Sequence, residues 1–305
     1  MAGLHTGEDG MGDKQPDAAG LGIGIPCWIL GWRIIGGGIG VSVCSLHDKQ
    51  LVGADAMINH TSSHWEQYDS TGFGDFIPAG TCRYFPEAIL CKLYLNKYCK
   101  DATIIKALHN ILDIQGRLLD YDCAKTAVAI NNIISTRLVD SVKSVCVIGD
   151  GHAIFSSLWK YLYPKSKVTM INLKKILPYD KLQGNKISSD FCYVEAEQSD
   201  HLFNSDIDLF VNIASMQEMN YDVIEYYFSM MHSSNGMKLF YCVNRASKQL
   251  PDSSVIEFDK YPWKSNDGII IDRVAMWYRW YPSKYPPFFK PFDGEIKEKF
   301  VLLDK

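Results

Sequence analysis

Residues 144–154 read Ser144-Val145-Cys146-Val147-Ile148-Gly149-Asp150-Gly151-His152-Ala153-Ile154. Ser144–Ile148 is a short apolar run rich in β-branched residues, the pattern of a buried strand. Gly149 and Gly151 allow a tight turn and close approach of the backbone to a ligand. The chain then continues as a helix over Ile154–Tyr163, stopped by Pro164. A strand, a glycine turn and a helix in this order predict free N–H groups at the helix N-terminus, facing a bound molecule.

Outward from this unit the pattern repeats. Val168–Asn172, Phe191–Glu195, Ile207–Ile213 and Met237–Val243 are further strand-like runs, and Tyr221–His232 is an amphipathic helix closed by Asn235-Gly236. Alternating strands and helices imply a mostly parallel sheet covered on both faces. Ile269–Trp277 and Lys299–Leu303 supply two late strands without a crossover helix between them. Upstream, Phe85–Lys97, Thr103–Leu119 and Cys123–Val139 carry apolar residues at helical spacing, with Pro86 in an accepted first-turn position. The expected architecture is α/β, with a sheet domain over residues 141–305 preceded by a small helical unit over residues 55–140. Residues 1–54 form an extension. Its first 20 residues are polar and read as disordered. Leu21–Val43 is apolar except for Arg33 and long enough to span a bilayer, but dense in glycine. Any membrane association is expected only through residues 21–43.

Composition narrows the function. The 305 residues carry 31 basic and 35 acidic side chains, a formal charge of −4, which argues against a nucleic-acid binder. A hydrophobic fraction of 47% fits a globular protein with a real core. The nine cysteines are scattered singly, with no CxxC or zinc-ligand spacing, so no metal site is expected. Buried thiols in a reducing compartment, the cytoplasm, are the natural reading.

The spacing in the glycine turn separates two cofactor classes. A dinucleotide loop needs a small residue three positions after its second glycine, where this chain has the bulky Ile154. The S-adenosylmethionine form of the turn needs one two positions on, and Ala153 fills it. An acidic residue usual two positions before the first glycine is replaced by Val147. The acidic residue that accepts ribose hydroxyls at the end of the second strand is replaced by Asn172. An ordinary strand-to-helix turn is the competing explanation of the glycines.

After the fourth strand comes Asn212-Ile213-Ala214-Ser215-Met216-Gln217-Glu218-Met219. With the glycine turn, this segment resembles the sugar O-methyltransferases of bacterial polysaccharide and antibiotic pathways, which carry an Asn, a Ser-Met pair and a Glu-Met pair here. The resemblance covers roughly residues 60–305, and Ser62–Glu66 resembles the start of that family's shared region. It implies a Rossmann-like methyltransferase fold with a seven-stranded sheet. It also implies S-adenosylmethionine as cofactor and a sugar or glycan hydroxyl as acceptor.

The candidate cofactor-binding residues are Gly149, Asp150, Gly151, Ala153, Asn172, Ala196, Glu197, Asn212 and Ser215. Ala196 and Glu197 follow the third strand, where adenine contacts fall in such folds. A sugar hydroxyl needs a general base as its oxygen is methylated. Glu218 ranks first for that role and His152 second. Ser215 and Glu218 also have the spacing of a capping box ahead of Tyr221–His232. The aromatic run Trp277–Pro282, with Arg279, is a candidate sugar surface or simply packing. Two other functions stay open: a nicotinamide-dependent sugar-nucleotide oxidoreductase, and a degenerate Rossmann-like binding protein.

Overall fold

A computed structural model of the protein describes residues 76–81, 85–283 and 285–304. All of these lie in one of the two units into which the chain divides, Asp55–Lys305. The expectations for residues 1–54, for the Leu21–Val43 run and for Ser62–Glu66 concern residues outside those described.

Three helices come first: α1 (Phe85–Tyr98), α2 (Ala102–Gln115) and α3 (Tyr121–Ser135). Local chemistry sets their ends. Asp101 caps α2 by accepting from the Thr103 N–H at 2.7 Å, and Gly116 closes it in the left-handed conformation. Asp120 caps α3 by accepting from the Cys123 N–H at 2.9 Å, and its buried carboxylate is also bound by Arg117.

The sheet then builds by alternation. Strands β1 (Ser144–Ile148), β2 (Lys167–Asn172), β3 (Cys192–Glu195), β4 (Leu209–Ile213) and β5 (Leu239–Arg245) are separated by α4 (Ile154–Leu162), α5 (Leu177–Gly184) and α6 (Tyr221–Ser233). The sequence reading missed α5, whose Pro178 sits in the first turn, where a missing N–H costs nothing. A hairpin of β6 (Ser247–Gln249) and β7 (Val255–Glu257) follows. Then come β8 (Gly268–Val274), the hairpin β9 (Trp280–Pro282) with β10 (Phe289–Pro291), and β11 (Ile296–Leu302). The strand expected over Ile269–Trp277 stops at Val274 because Met276–Tyr278 forms a helical turn that buries Trp277 and Tyr278.

The seven-stranded sheet has the order β3-β2-β1-β4-β5-β11-β8. The first five are parallel, and β11 runs antiparallel to both β5 and β8. This is the Rossmann-like methyltransferase fold expected from the strand alternation. Successive residues of β1 serve opposite faces. Val145 and Val147 join a core shared with α1 to α4, and Cys146 and Ile148 join one built with α6. No helix among the described residues is long and apolar enough to cross a membrane.

Candidate functional site

The chain leaves β1 toward β2 on one side, whereas β4 lies on the other and leads to β5. Such a reversal opens a crevice at the carboxyl ends of the strands. A cleft of about 190 Å³ lies there. Apolar side chains at the strand ends, Val147, Ile171, Val211 and Ile213, line it together with the glycine turn.

Gly149 has φ +73°, and a Cβ built on it would fall 2.4 Å from the Ser215 hydroxyl oxygen. Only glycine fits, because the loop after β4 packs directly on the turn. Gly151, His152 and Ala153 then adopt φ of 61°, 56° and 52°, three successive left-handed residues. Two of them carry side chains, at about 1–2 kcal/mol each. Two carboxylates, Asp180 buried and Asp150 partly so, hold this strained segment. Asp150 accepts from the Phe155 and Ser156 N–H groups, both at 2.8 Å, and Asp180 from α5 accepts from the Ala153 N–H at 3.1 Å. This corrects one expectation: N–H groups foreseen as free for a ligand are taken by the chain's own acids.

The same acid explains Asn172. The Asn172 amide nitrogen donates to Asp180 at 2.9 Å, and its oxygen accepts from the Leu173 N–H. An acid eight residues later, on a helix, thus backs Asn172 from behind, buried and away from the cleft lining. Burial, and then the neighbouring charge of Asp150, push the Asp180 carboxyl up to about 7, against the hydrogen bonds from Asn172 and Ala153. Asp150 is also raised, chiefly by burial.

Six of the nine candidate cofactor residues line the cleft: Gly149, Asp150, Gly151, Asn172, Ala196 and Ser215. Three do not. Ala153 is buried behind the turn, and Glu197 is exposed in the helical segment after β3. Asn212 is fully buried in a hydrogen-bond network. Its amide donates to the Ile148 carbonyl and to Ser215, and its oxygen accepts from the Met216 N–H and from Asn244. That network ties the ends of β1, β4 and β5 together.

Neither candidate base is among the residues lining the cleft. Glu218 is buried and pairs with Lys248 of β6, while accepting from the Gln217 amide. The His152 ring packs against Phe76, at 5.4 Å between centroids, and Tyr179, at 5.9 Å. The capping box does not form either. The Ser215 hydroxyl donates to the Ile148 carbonyl at 2.9 Å, and Asn220 precedes α6 without a side-chain cap hydrogen bond. In place of these bases the structure brings Asp122, Lys125 and Thr126 of α3, with Met219, to the cleft. Sequence reading passed over them. Their one signal is an acid and a base three residues apart in a helix otherwise rich in Ala and Ile. The aromatic run Trp277–Pro282 is divided: Trp277 and Tyr278 are buried, and Arg279 and Trp280 are exposed. Among the described residues no cluster of three or more His, Cys, Asp or Glu is placed to hold a metal ion.

No family model and no curated protein matches the chain. Solved structures that resemble it are methyltransferases at low identity. The magnesium protoporphyrin IX methyltransferase of Synechocystis PCC 6803, with bound S-adenosylmethionine, is 6% identical. That match covers 60% of this chain and 79% of the other, with a TM-score of 0.41. Human N-acetylserotonin methyltransferase, in complex with S-adenosylmethionine, is 8% identical over 66% of this chain and 57% of its own, with a TM-score of 0.40. An O-methyltransferase family protein from Burkholderia thailandensis is 5% identical over 61% and 59%, also with a TM-score of 0.40. The strand order, rather than these likenesses, defines the fold.

Proposed function

We propose that the cleft binds S-adenosylmethionine and that the protein transfers its methyl group to a sugar hydroxyl. The observation that carries the cofactor choice is the pair of acids that hold the glycine turn. A dinucleotide would bring its pyrophosphate to a helix N-terminus whose N–H groups are already given to Asp150 and Asp180. The Asp150 carboxylate at the cleft would then face an anion. S-adenosylmethionine carries a sulfonium and an ammonium group, which the same carboxylate stabilises.

The residues fit such a ligand. Gly149, Gly151 and Asp150 border the part of the cleft suited to its amino-acid end, and Asn172 and Leu173 lie at the end of β2, where a ribose would rest. Ala196 adds an apolar contact after β3 for the adenine. When bound, the cofactor supplies an already activated methyl group. The chain's task is to align an acceptor oxygen, exclude water and take up a proton. The sugar acceptor rests on the resemblance carried by Asn212–Met219. It also rests on the polar Asp122–Lys125 border, which suits a hydroxyl-bearing ligand.

Calorimetry on the full chain with S-adenosylmethionine, S-adenosylhomocysteine and NAD(H) tests the cofactor. Micromolar binding of the first two and none of the third is the expected result. Binding of NAD(H) alone would replace this reading with the oxidoreductase one.

A further inference from the structure

Among the described residues that line the cleft, four carry titratable side chains: Asp122, Lys125, Asp150 and Tyr227. Asp150 is committed to the first turn of α4. Tyr227 is buried, and burial raises its pKa further above the ordinary tyrosine range. Lys125 is held from two sides. It forms an ion pair with Asp122 and donates to the Tyr278 hydroxyl at 3.0 Å. Its ammonium also lies 5.1 Å from the centroid of the Tyr278 ring and 5.8 Å from that of Tyr121. Burial pulls its pKa down, but the Asp122 charge and Tyr278 more than reverse this, so it stays protonated. An ammonium has three N–H donors. Two are used, by Asp122 and Tyr278, and the third has no acceptor among the described residues.

An ion pair at the border of a cleft, with a donor to spare on the cation, offers one hydrogen-bond donor beside one strong acceptor. That is the complement of a hydroxyl group, which accepts at its oxygen and donates its proton. A free anion would instead meet the Asp122 charge, and a free cation that of Lys125.

We infer that Asp122 is the general base of the reaction and that Lys125 positions the acceptor hydroxyl, donating to its oxygen. This rests on the methyl-transfer reading above. As the new O–C bond forms, the S–C bond of S-adenosylmethionine breaks and its electron pair returns to sulfur, leaving a neutral thioether. The hydroxyl proton passes to the Asp122 carboxylate in the same step. Tyr278 and the Tyr121 ring fix the ammonium and so act as positioning groups.

The test uses the full chain and three measurements. The first is S-adenosylhomocysteine affinity by calorimetry. It reports only on the cofactor reading and should change less than threefold in Asp122→Asn and Lys125→Met. The second is the NMR signal of Lys125 in protein carrying 13C-labelled lysine, assigned by its loss in Lys125→Met. Titrating a panel of methyl glycosides into the S-adenosylhomocysteine-saturated protein should move this signal and leave other lysines in place. The third is methyl transfer from S-adenosylmethionine to the same glycosides, expected to fall ~10²–10⁴-fold in Asp122→Asn and to recover in part in Asp122→Glu. An unmoved Lys125 signal, absent transfer by a wild-type protein that binds S-adenosylhomocysteine, or wild-type rates in Asp122→Asn would each overturn the inference. A wild-type protein that fails to bind S-adenosylhomocysteine would overturn the cofactor reading first.

Discussion

Gly149 and Ser215 illustrate how a single atom constrains the turn. Adding a methyl group at Gly149 sets a left-handed residue, φ +73°, against a hydroxyl 2.4 Å away. Gly149→Ala is expected to lose about 2–4 kcal/mol of stability, from backbone strain plus overpacking. Ser215→Gly in the same molecule removes the obstacle and should recover about 1 kcal/mol or more, a coupling that a double-mutant cycle measures in urea. Additive losses would show that the two residues do not meet.

Asp180 makes a prediction in pH. Its carboxyl titrates near 7 when folded, against 3.8 unperturbed, so the folded chain holds this proton more tightly than the unfolded chain does. Stability from this group is fully present below the unfolded value and is lost as the pH rises through 7. Three units correspond to about 4 kcal/mol at most. Urea unfolding of the wild type should therefore give a higher midpoint at pH 5 than at pH 8. Asp180→Asn should shrink that difference without abolishing it, since Asp120, raised to about 6 mainly by burial, has the same sign. An unchanged pH slope in the mutant would assign the effect elsewhere.

At the level of elements, β11 is held by one buried carboxylate. Glu298 accepts from Asn132 of α3 at 2.9 Å and from the Tyr241 hydroxyl of β5 at 2.7 Å. It also accepts from Arg273 of β8 at 2.7 Å and from the Trp277 indole at 3.1 Å. The antiparallel strand and its two neighbours are thus pinned to a helix that borders the cleft. Glu298→Ala would leave the Asn132 amide, the Tyr241 hydroxyl and the Trp277 indole unpaired, and the exposed Arg273 without its partner. At about 1–3 kcal/mol for each buried donor left unpaired, a loss of about 3 kcal/mol is expected, read as a drop in melting temperature. A loss under 1 kcal/mol would show that water replaces the carboxylate. Asn212 works in the same way on the other side of the cleft, joining three strand ends, and its place in the sequence gave no hint of that role. Its side chain is spent on the backbone and on Asn244, so it holds the walls of the site instead of a ligand.

For the molecule as a whole, the division at Asp55 predicts that residues 55–305 carry cofactor binding by themselves. A chain lacking residues 1–54 should stay folded by circular dichroism and bind S-adenosylhomocysteine within about threefold of the full chain. Loss of folding would tie the extension to the core. The strands, the glycine turn and the placing of six of the nine candidate residues at the cleft were legible in the amino-acid sequence because they rest on local signals. Alternating apolar residues make β1 whatever it packs against, and a tight turn requires glycine where φ is positive. The tertiary structure alone decided the rest. It placed β11 between β5 and β8, bonded Asn172 to Asp180 of α5, and turned Glu218 toward Lys248, 30 residues away. It also carried Asp122 and Lys125, from a helix ahead of the sheet, to the end of β1. The physical reason is common to all four. A side chain's charge and hydrogen bonds are settled by whichever partner packing brings within about 3 Å, and periodicity along the chain carries no record of partners distant in sequence.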